Sequence, residues 1–328
     1  MTWLCLAATA LAAATLSTDH FANVLVGAEP LRVTVVGGGA VELRNLAGDC
    51  LERREAGDGA VDFGPRPPGY YEVVAGETRL PVVVLVDPAR RVPGDSRLAT
   101  DNAMSWLVKP EQHAAMARLL RQVGVSWVRE RLSWGEVQPQ PETWQWKGRT
   151  DSATDALAAE GLRVFNVFHG VPGWSRADRN SKAPPDDLRV IHRFARTLAE
   201  HYAGKTAAWE VWNEPDISFF ARTADECAAF QKAAFLGFRA VDPELLVLGP
   251  SMAHGVAPFA EHLLANGLAH YADRWNYHIY AEPSQYAARH RGFVDLLRAH
   301  GAALPSWVTE AGDRVMGPEG LLGDEARR

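Results

Sequence analysis

Between residues 23 and 87, apolar and polar positions alternate in short runs. Leu31–Val36 (LRVTVV), Val41–Leu46 (VELRNL), Tyr70–Val74 (YYEVV) and Leu80–Val86 (LPVVVLV) are rich in β-branched or aromatic residues. Gly37-Gly38-Gly39, Gly57-Asp58-Gly59 and the segment Pro65–Gly69 separate them with turn formers. No period of 3.6 residues is present. The stretch predicts a small antiparallel β-sandwich. Residues 88–99, beginning PARRVPGDS, read as a linker.

From about residue 100 the texture changes. Apolar strands alternate with amphipathic helical segments. The expected strands are Ala103–Val108, Val125–Leu132, Arg163–His169, Ala207–Asn213, Leu246–Pro250, Trp275–Tyr280 and Ser306–Glu310. Pro110 suits a first helical turn, and Thr223-Ala224-Asp225-Glu226 has the form of a capping box. Gly124, Gly161, Gly204 and Gly301 are placed to end helices. Repeated βα units imply a parallel sheet, doubly wound or closed as a TIM (β/α)8 barrel. No glycine-rich phosphate loop follows a strand, so the usual chemistry of a nucleotide-binding sheet is missing. The residues after Glu310 are few and glycine-rich. The expected α/β domain, residues 100–328, is therefore a barrel of about seven strands, truncated at its C-terminal end.

Composition narrows the function. Hydrophobic residues make up 47% and charged residues 23% of 328, a globular balance. The net charge is −6 with no basic block, which argues against a nucleic-acid partner. Cys5, Cys50 and Cys227 share no metal-binding spacing, and the histidines show none either, so no metal or other cofactor is expected. Residues 1–16 (MTWLCLAATALAAATL) are uncharged, too short to span a bilayer, and contain the small residues Ala12-Ala13-Ala14. They read as a signal peptide, which places the mature protein outside the cell, in the periplasm or at the cell envelope. Nothing in the sequence indicates an oligomeric state.

In a barrel, functional residues lie at the C-terminal ends of strands. There the expected strands deliver Arg129, Arg131 and Trp134; His169 and Trp174; Asn213 and Glu214; His278 and Tyr280; and Glu310. Glu214 and Glu310 each follow an apolar run. A carboxylate at the rim of a core is costly unless it is hydrogen-bonded or useful. Two facing carboxylates are what glycoside hydrolysis requires.

Trp-Asn-Glu-Pro at 212–215 and Trp-Val-Thr-Glu-Ala-Gly at 307–312 resemble the motifs of clan A, the retaining (β/α)8 glycoside hydrolases. GVSWVRERLSWGEVQP, then W-x-W, then GLRVFNV, is similar to glycoside hydrolase family 39, with family 5 next. The resemblance covers about residues 100–313. It implies Glu214 as general acid/base, Glu310 as nucleophile, and an oligo- or polysaccharide substrate with β-linkages. It also implies that Asn213 binds a sugar 2-hydroxyl, that Arg129 keeps the nucleophile ionised, and that His169, His278 and Tyr280 line the site. Read from the residues alone, Arg129 is alternatively a core arginine paired with Glu130 or Glu210, and Arg131 takes its role beside the nucleophile if the strand register is shifted by one pleat. Trp134 and Trp174 are candidate sugar platforms or plugs of the barrel mouth. A transglycosylase with the same two glutamates, or an inactive carbohydrate-binding barrel, are the alternative functions.

Overall fold

The structure is a computed structural model that describes residues 14–90 and 99–312. The chain divides into two compact units. One comprises residues 1–96 with 118–124, and the other residues 97–117 with 125–328.

The first unit contains strands β1 (Thr15–Ser17), β2 (Val24–Val26), β3 (Pro30–Val36), β4 (Gly39–Asn45), β5 (Cys50–Ala56), β6 (Gly59–Pro65), β7 (Gly69–Ala75) and β8 (Thr78–Leu85). One sheet has the order β1-β3-β6, and the other β2-β8-β7-β4-β5. All pairs are antiparallel except β2 with β8. Along β3, Leu31, Val33 and Val35 are buried while Arg32, Thr34 and Val36 are exposed. They join Val41 and Leu43, Val73 and Ala75, and Val82 and Val84 of the other sheet in one apolar cluster. The β7–β8 hairpin turns at Gly76, whose φ of 59° is easy only for glycine.

Four of these strands match sequence expectation, and four were not anticipated. β5 (CLERREA) is an exposed edge strand with no buried face, so it carries no alternation. β6 (GAVDFGP) buries only Val61 and Phe63. The proposed signal peptide lies outside the described residues up to residue 13. Its last two residues, Thr15 and Leu16, belong to β1, and Leu16 is buried. In the linker, residues 91–98 lie outside the described residues, and Pro88–Arg90 form a 3-10 turn.

Residues 99–312 contain β9 (Ala99–Asp101), α1 (Met104–Leu107), α2 (His113–Val123), β10 (Trp127–Ser133), α3 (Trp134–Val137), α4 (Arg149–Ala159), β11 (Arg163–His169), α5 (Arg189–His201), β12 (Thr206–Val211), α6 (Ala224–Arg239), β13 (Leu246–Leu248), α7 (Pro258–Ala265), β14 (Trp275–Ile279), α8 (Tyr286–Ala299) and β15 (Ser306–Ala311). Five strands form a parallel sheet ordered β13-β12-β11-β10-β9, and β14 pairs in parallel with β15. Isolated bridges from Leu248 to Arg274 and from Met252 to Tyr277 connect the two sheets. Trp209, Trp212, Phe168, Phe194, Phe230 and Phe238 lie in the core between sheet and helices. Helix α6 approaches α5 so closely at Gly237 that a Cβ there would lie 2.4 Å from the His192 carbonyl oxygen.

The expected first strand, Ala103–Val108, is a correction. That segment is helix α1, and the strand is the shorter β9 just before it. The cause is a buried carboxylate. Glu130 accepts hydrogen bonds from the Met104 and Ser105 backbone N–H groups at 2.7 and 3.0 Å. It thereby satisfies donors that a helix start leaves unpaired. Ala103 turns the chain with a φ of 44°. The capping box at Thr223–Glu226 and the left-handed glycines 124, 161, 204 and 301 appear where the sequence suggested.

Candidate active site

The site begins with one buried arginine. Arg129 on β10 is fully buried, and its guanidinium reaches three other strands. Nε and Nη2 donate to Glu210 of β12 at 2.9 and 2.6 Å. Nη2 also donates to Asn213 Oδ1 at 2.7 Å. Nη1 donates to Glu310 Oε1 of β15 and, at 3.3 Å, to Asp101 of β9. Burial works against its charge, but the carboxylates of Glu210, Asp101 and Glu310 outweigh it and hold the pKa above the ordinary arginine value. Arg129 thus pairs with a core carboxylate, Glu210 rather than Glu130, and also with Glu310.

Arg131 lies one pleat further along β10. It pairs with both oxygens of Asp101 and donates to Glu310 Oε1 at 2.9 Å. The other oxygen of Glu310 accepts from the Tyr280 hydroxyl at 2.7 Å. Burial pushes the Glu310 carboxyl up, yet Arg129, His278 and Tyr280 together bring it below the usual carboxylate range. The same bond pushes the Tyr280 phenol above its ordinary value, burial being the larger cause.

Glu214 stands on a strained turn. Trp212 and Glu214 have φ values of 71° and 47°, a region that non-glycine residues seldom occupy. Such backbone costs on the order of 1–3 kcal/mol per residue and gathers at functional sites. The turn is held by Ser251, whose hydroxyl accepts from the Glu214 N–H at 3.3 Å. Glu214 Oε1 lies 2.8 Å from His278 Nδ1, and this bond holds its carboxyl below the usual range against burial.

His278 Nδ1 is also 3.6 Å from Glu310 Oε2. One carboxylate oxygen of Glu214, one of Glu310 and a His278 nitrogen all lie within 4.8 Å of one another. The register explains part of this convergence. Tyr277 pairs with Val308 and His278 with Glu310, so Thr309 is an extra residue bulged out of β15. Strict alternation would send Thr309 and Glu310 to opposite faces; the bulge lets both face His278. The three ligand-type atoms could geometrically hold a cation, but Arg129 and Arg131 already neutralise Glu310.

The remaining sequence candidates divide. His169, at the end of β11, is mostly buried and faces the Trp106 edge at 5.9 Å. Burial, with Arg131 and Arg129 nearby, brings its pKa down to about 4, so the ring is neutral. Trp174 lies half-buried on the turn after β11 and donates to the Gln138 carbonyl at 3.0 Å. Trp134 is a correction. It is fully buried, stacked on Phe194 at 4.0 Å, and its indole N–H is spent on Gln138. No face is left for a sugar.

Sequence reading missed Asp101 and Trp106. Trp106 is 43% exposed, lies beneath the Arg131 guanidinium at 5.7 Å, and is held there by the short helix that Glu130 caps. Both residues were hidden by the misplaced first strand. Asp101 lines a cavity together with Tyr280, Thr309 and Glu310.

Comparison with known proteins places the fold in a class. A family 39 glycoside hydrolase from Bacteroides cellulosilyticus WH2 shares it with a TM-score of 0.61 and 16% identity, over 90% of this chain and 68% of that one. A bacterial orthologue of human α-L-iduronidase matches at TM-score 0.52 and 19% identity, over 66% of this chain and 40% of that one. A glucosidase from Croceicoccus marinus matches at 0.50 and 18%, over 60% of this chain and 48% of that one. The chain thus spans less than half the length of the last two. No curated protein matches the sequence. Residues 94–303 match the family model described as cellulase (glycosyl hydrolase family 5). The chain belongs to that family and is a glycoside hydrolase by class. Of the two families that the sequence resembles, family 5 supplies the matching model and family 39 one of the solved structures with this fold.

Proposed function

We propose that the protein is a retaining O-glycosidase of β-linked glycans, with Glu310 as nucleophile and Glu214 as general acid/base. The observation that carries this is the approach of a Glu214 oxygen to within 4.8 Å of a Glu310 oxygen. Retaining enzymes hold their carboxyl groups about 5–5.5 Å apart, whereas inverting ones leave about 6.5–9.5 Å for a water.

The environments suit the roles. Two arginines and the Tyr280 hydroxyl keep Glu310 ionised, as a nucleophile must be. Glu310 attacks the anomeric carbon while Glu214 delivers a proton to the leaving oxygen. A glycosyl-enzyme forms, and Glu214 then takes a proton from the attacking water. Arg129 already occupies Asn213 Oδ1, which leaves the amide N–H groups for a sugar 2-hydroxyl. His169 and Trp174 are read as lining the sugar site, together with Trp106.

The seven parallel strands are read as those of this family's barrel, with β9 first and β15 seventh. The first unit, with one apolar cluster shared by two sheets, is read as a small sandwich domain. Export directed by residues 1–16 would place the enzyme with extracellular or cell-envelope glycans. No helix among the described residues is long and apolar enough to cross a membrane. Burial of Leu16 favours processing upstream of β1.

The experiment is hydrolysis of a panel of 4-nitrophenyl β-glycosides (glucoside, xyloside, mannoside). Glu310→Gln is expected to reduce turnover to background. Glu214→Gln should cost about 10²–10⁴-fold, mainly as the missing general base of the second step, because 4-nitrophenolate departs with little acid assistance. Trapping with a 2-fluoro glycoside should label Glu310. Full activity in Glu310→Gln overturns the reading, and transfer to an added alcohol in preference to water identifies a transglycosylase.

A further inference from the structure

Two loops at the C-terminal ends of the strands are locked together. One is the segment 170–188 after β11, and the other is the segment 212–223 after β12, which carries Glu214. The Ala221 N–H donates to the Lys182 carbonyl at 2.7 Å, and Lys182 Nζ donates to the Ser218 carbonyl at 2.9 Å. Arg222 donates to Asp178 at 3.2 Å. The second loop is fixed elsewhere too. Asp216 accepts the backbone N–H groups of Ala253 and His254 at 2.9 and 2.8 Å. Phe220 is buried edge-on against Trp212, with ring centres 5.0 Å apart. Between these anchors Phe219 is 41% exposed, with the Lys182 ammonium 6.0 Å from its ring centre.

The charges of these loops are unevenly paired. Asp178 is held by Arg176 at 2.8 and 2.9 Å as well as by Arg222, Asp186 lies 3.6 Å from Arg176, and Asp187 pairs with Arg189 at 2.9 Å. Among the described residues no carboxylate pairs with Arg179 or Lys182. The Arg179 guanidinium is nevertheless held in place. It lies against Gly173, the neighbour of Trp174, where a Cβ would be 3.2 Å from Nη2 and 3.4 Å from both Cζ and Nε. Such near-equal distances mean that the flat face of the group meets the backbone, so its N–H groups are directed sideways and stay unused. Arg179 also adopts a left-handed backbone, with a φ of 53°, which few arginines do.

We propose that the two interlocked loops form the subsite for the leaving sugar, and that this sugar is a uronic acid. The placement rests on the reading of Glu214 as the group that protonates the leaving oxygen, because the second loop continues directly from it. Phe219 offers an apolar ring on which the C–H face of a pyranose can pack. The Arg179 guanidinium offers a fork of N–H groups that matches both oxygens of a carboxylate. Lys182 adds a second positive charge close to the Phe219 ring. A neutral sugar would use the ring and leave both cations idle. A carboxylate on the sugar engages all three side chains. These residues select the substrate and take no part in bond cleavage.

The test is calorimetric titration of the full chain carrying Glu310→Gln, which keeps the ligand intact, at neutral pH and low ionic strength. The ligands are matched pairs that differ only in the carboxylates: tetraglucuronate against cellotetraose, and tetramannuronate against mannotetraose. In at least one pair the acidic member is expected to bind about tenfold more tightly, the usual worth of a charge-assisted hydrogen bond. Added salt should shrink that preference. Arg179→Ala should abolish it while leaving the neutral affinity and the melting temperature unchanged. Arg179→Gly, which suits the left-handed backbone, is the second variant should the first not fold. Phe219→Ala should weaken both members of the pair alike, and Arg193→Ala, on the exposed side of α5, should change neither. Equal affinity within both pairs, no binding of either member, or a preference that survives loss of the Arg179 side chain overturns the proposal. No turnover is involved, so this failure is distinct from failure of the acid/base assignment, which the kinetics of Glu214→Gln report.

Discussion

Arg129 is bonded at one end of its guanidinium to Glu210 and at the other to Glu310. The first is a fully buried carboxylate of the core, and the second is at the mouth of the site. One cation therefore serves both the core and the candidate site. Replacing Arg129 by Gln leaves Glu210 buried and uncompensated, which costs about 3–5 kcal/mol. Lysine should not rescue it, because a single ammonium cannot serve both ends. Denaturant unfolding of Arg129→Gln and Arg129→Lys checks this; a loss below about 1 kcal/mol in either would contradict it.

Trp134 and Trp106 should respond in opposite ways. Trp134 is stacked in the core, so Trp134→Ala should destabilise by about 3–5 kcal/mol. Trp106 is exposed beside Arg131 and His169, so Trp106→Ala should raise KM for oligosaccharides and leave thermal stability nearly unchanged. Equal effects of the two substitutions on melting temperature would refute the assignment.

His169 gives stability a pH dependence of definite sign. Its pKa falls from 6.5 in the unfolded chain to about 4 in the fold, so the unfolded state binds more protons between those values. Stability should decline as pH drops from about 6.5 toward 4, by up to roughly 3 kcal/mol from this group. In His169→Gln the decline over that window should be shallower. An identical slope in the variant and the wild type would exclude His169 as the source.

Gly237 is needed for space. A Cβ at that position would lie 2.4 Å from the His192 oxygen, so Gly237→Ala must part helices α5 and α6. About 1–3 kcal/mol of destabilisation follows from such overpacking. Although alanine is the better helix former, the melting temperature should fall, and a rise would show that the helices can yield there.

Much of the second unit was legible because its signals are local. The alternation of apolar runs and helical periods marked six of the seven strands. Trp-Asn-Glu-Pro and Trp-Val-Thr-Glu put both carboxylates at strand ends. Leu31–Val36 showed its buried face by simple alternation. The first strand was misread because the cause of helix α1 is Glu130, 25 residues away from the Ser105 N–H that it caps. Strand β5 was missed because an edge strand with two solvent-facing sides needs no apolar pattern.

The sequence by itself determined which residue types reach the C-terminal ends of the strands, since strand register and chemistry are both written in short windows. Only the tertiary structure decided how those residues are paired. Arg129 serves Glu210 and Glu310 together because β9, β10, β12 and β15 converge on one guanidinium. Thr309 faces His278 because a bulge in β15 interrupts its alternation. Trp134 lies in the core rather than at the mouth because Phe194, on a helix 60 positions further along the chain, covers its ring. Each of these is a contact between distant segments, set by packing and charge in three dimensions, and no local pattern encodes it.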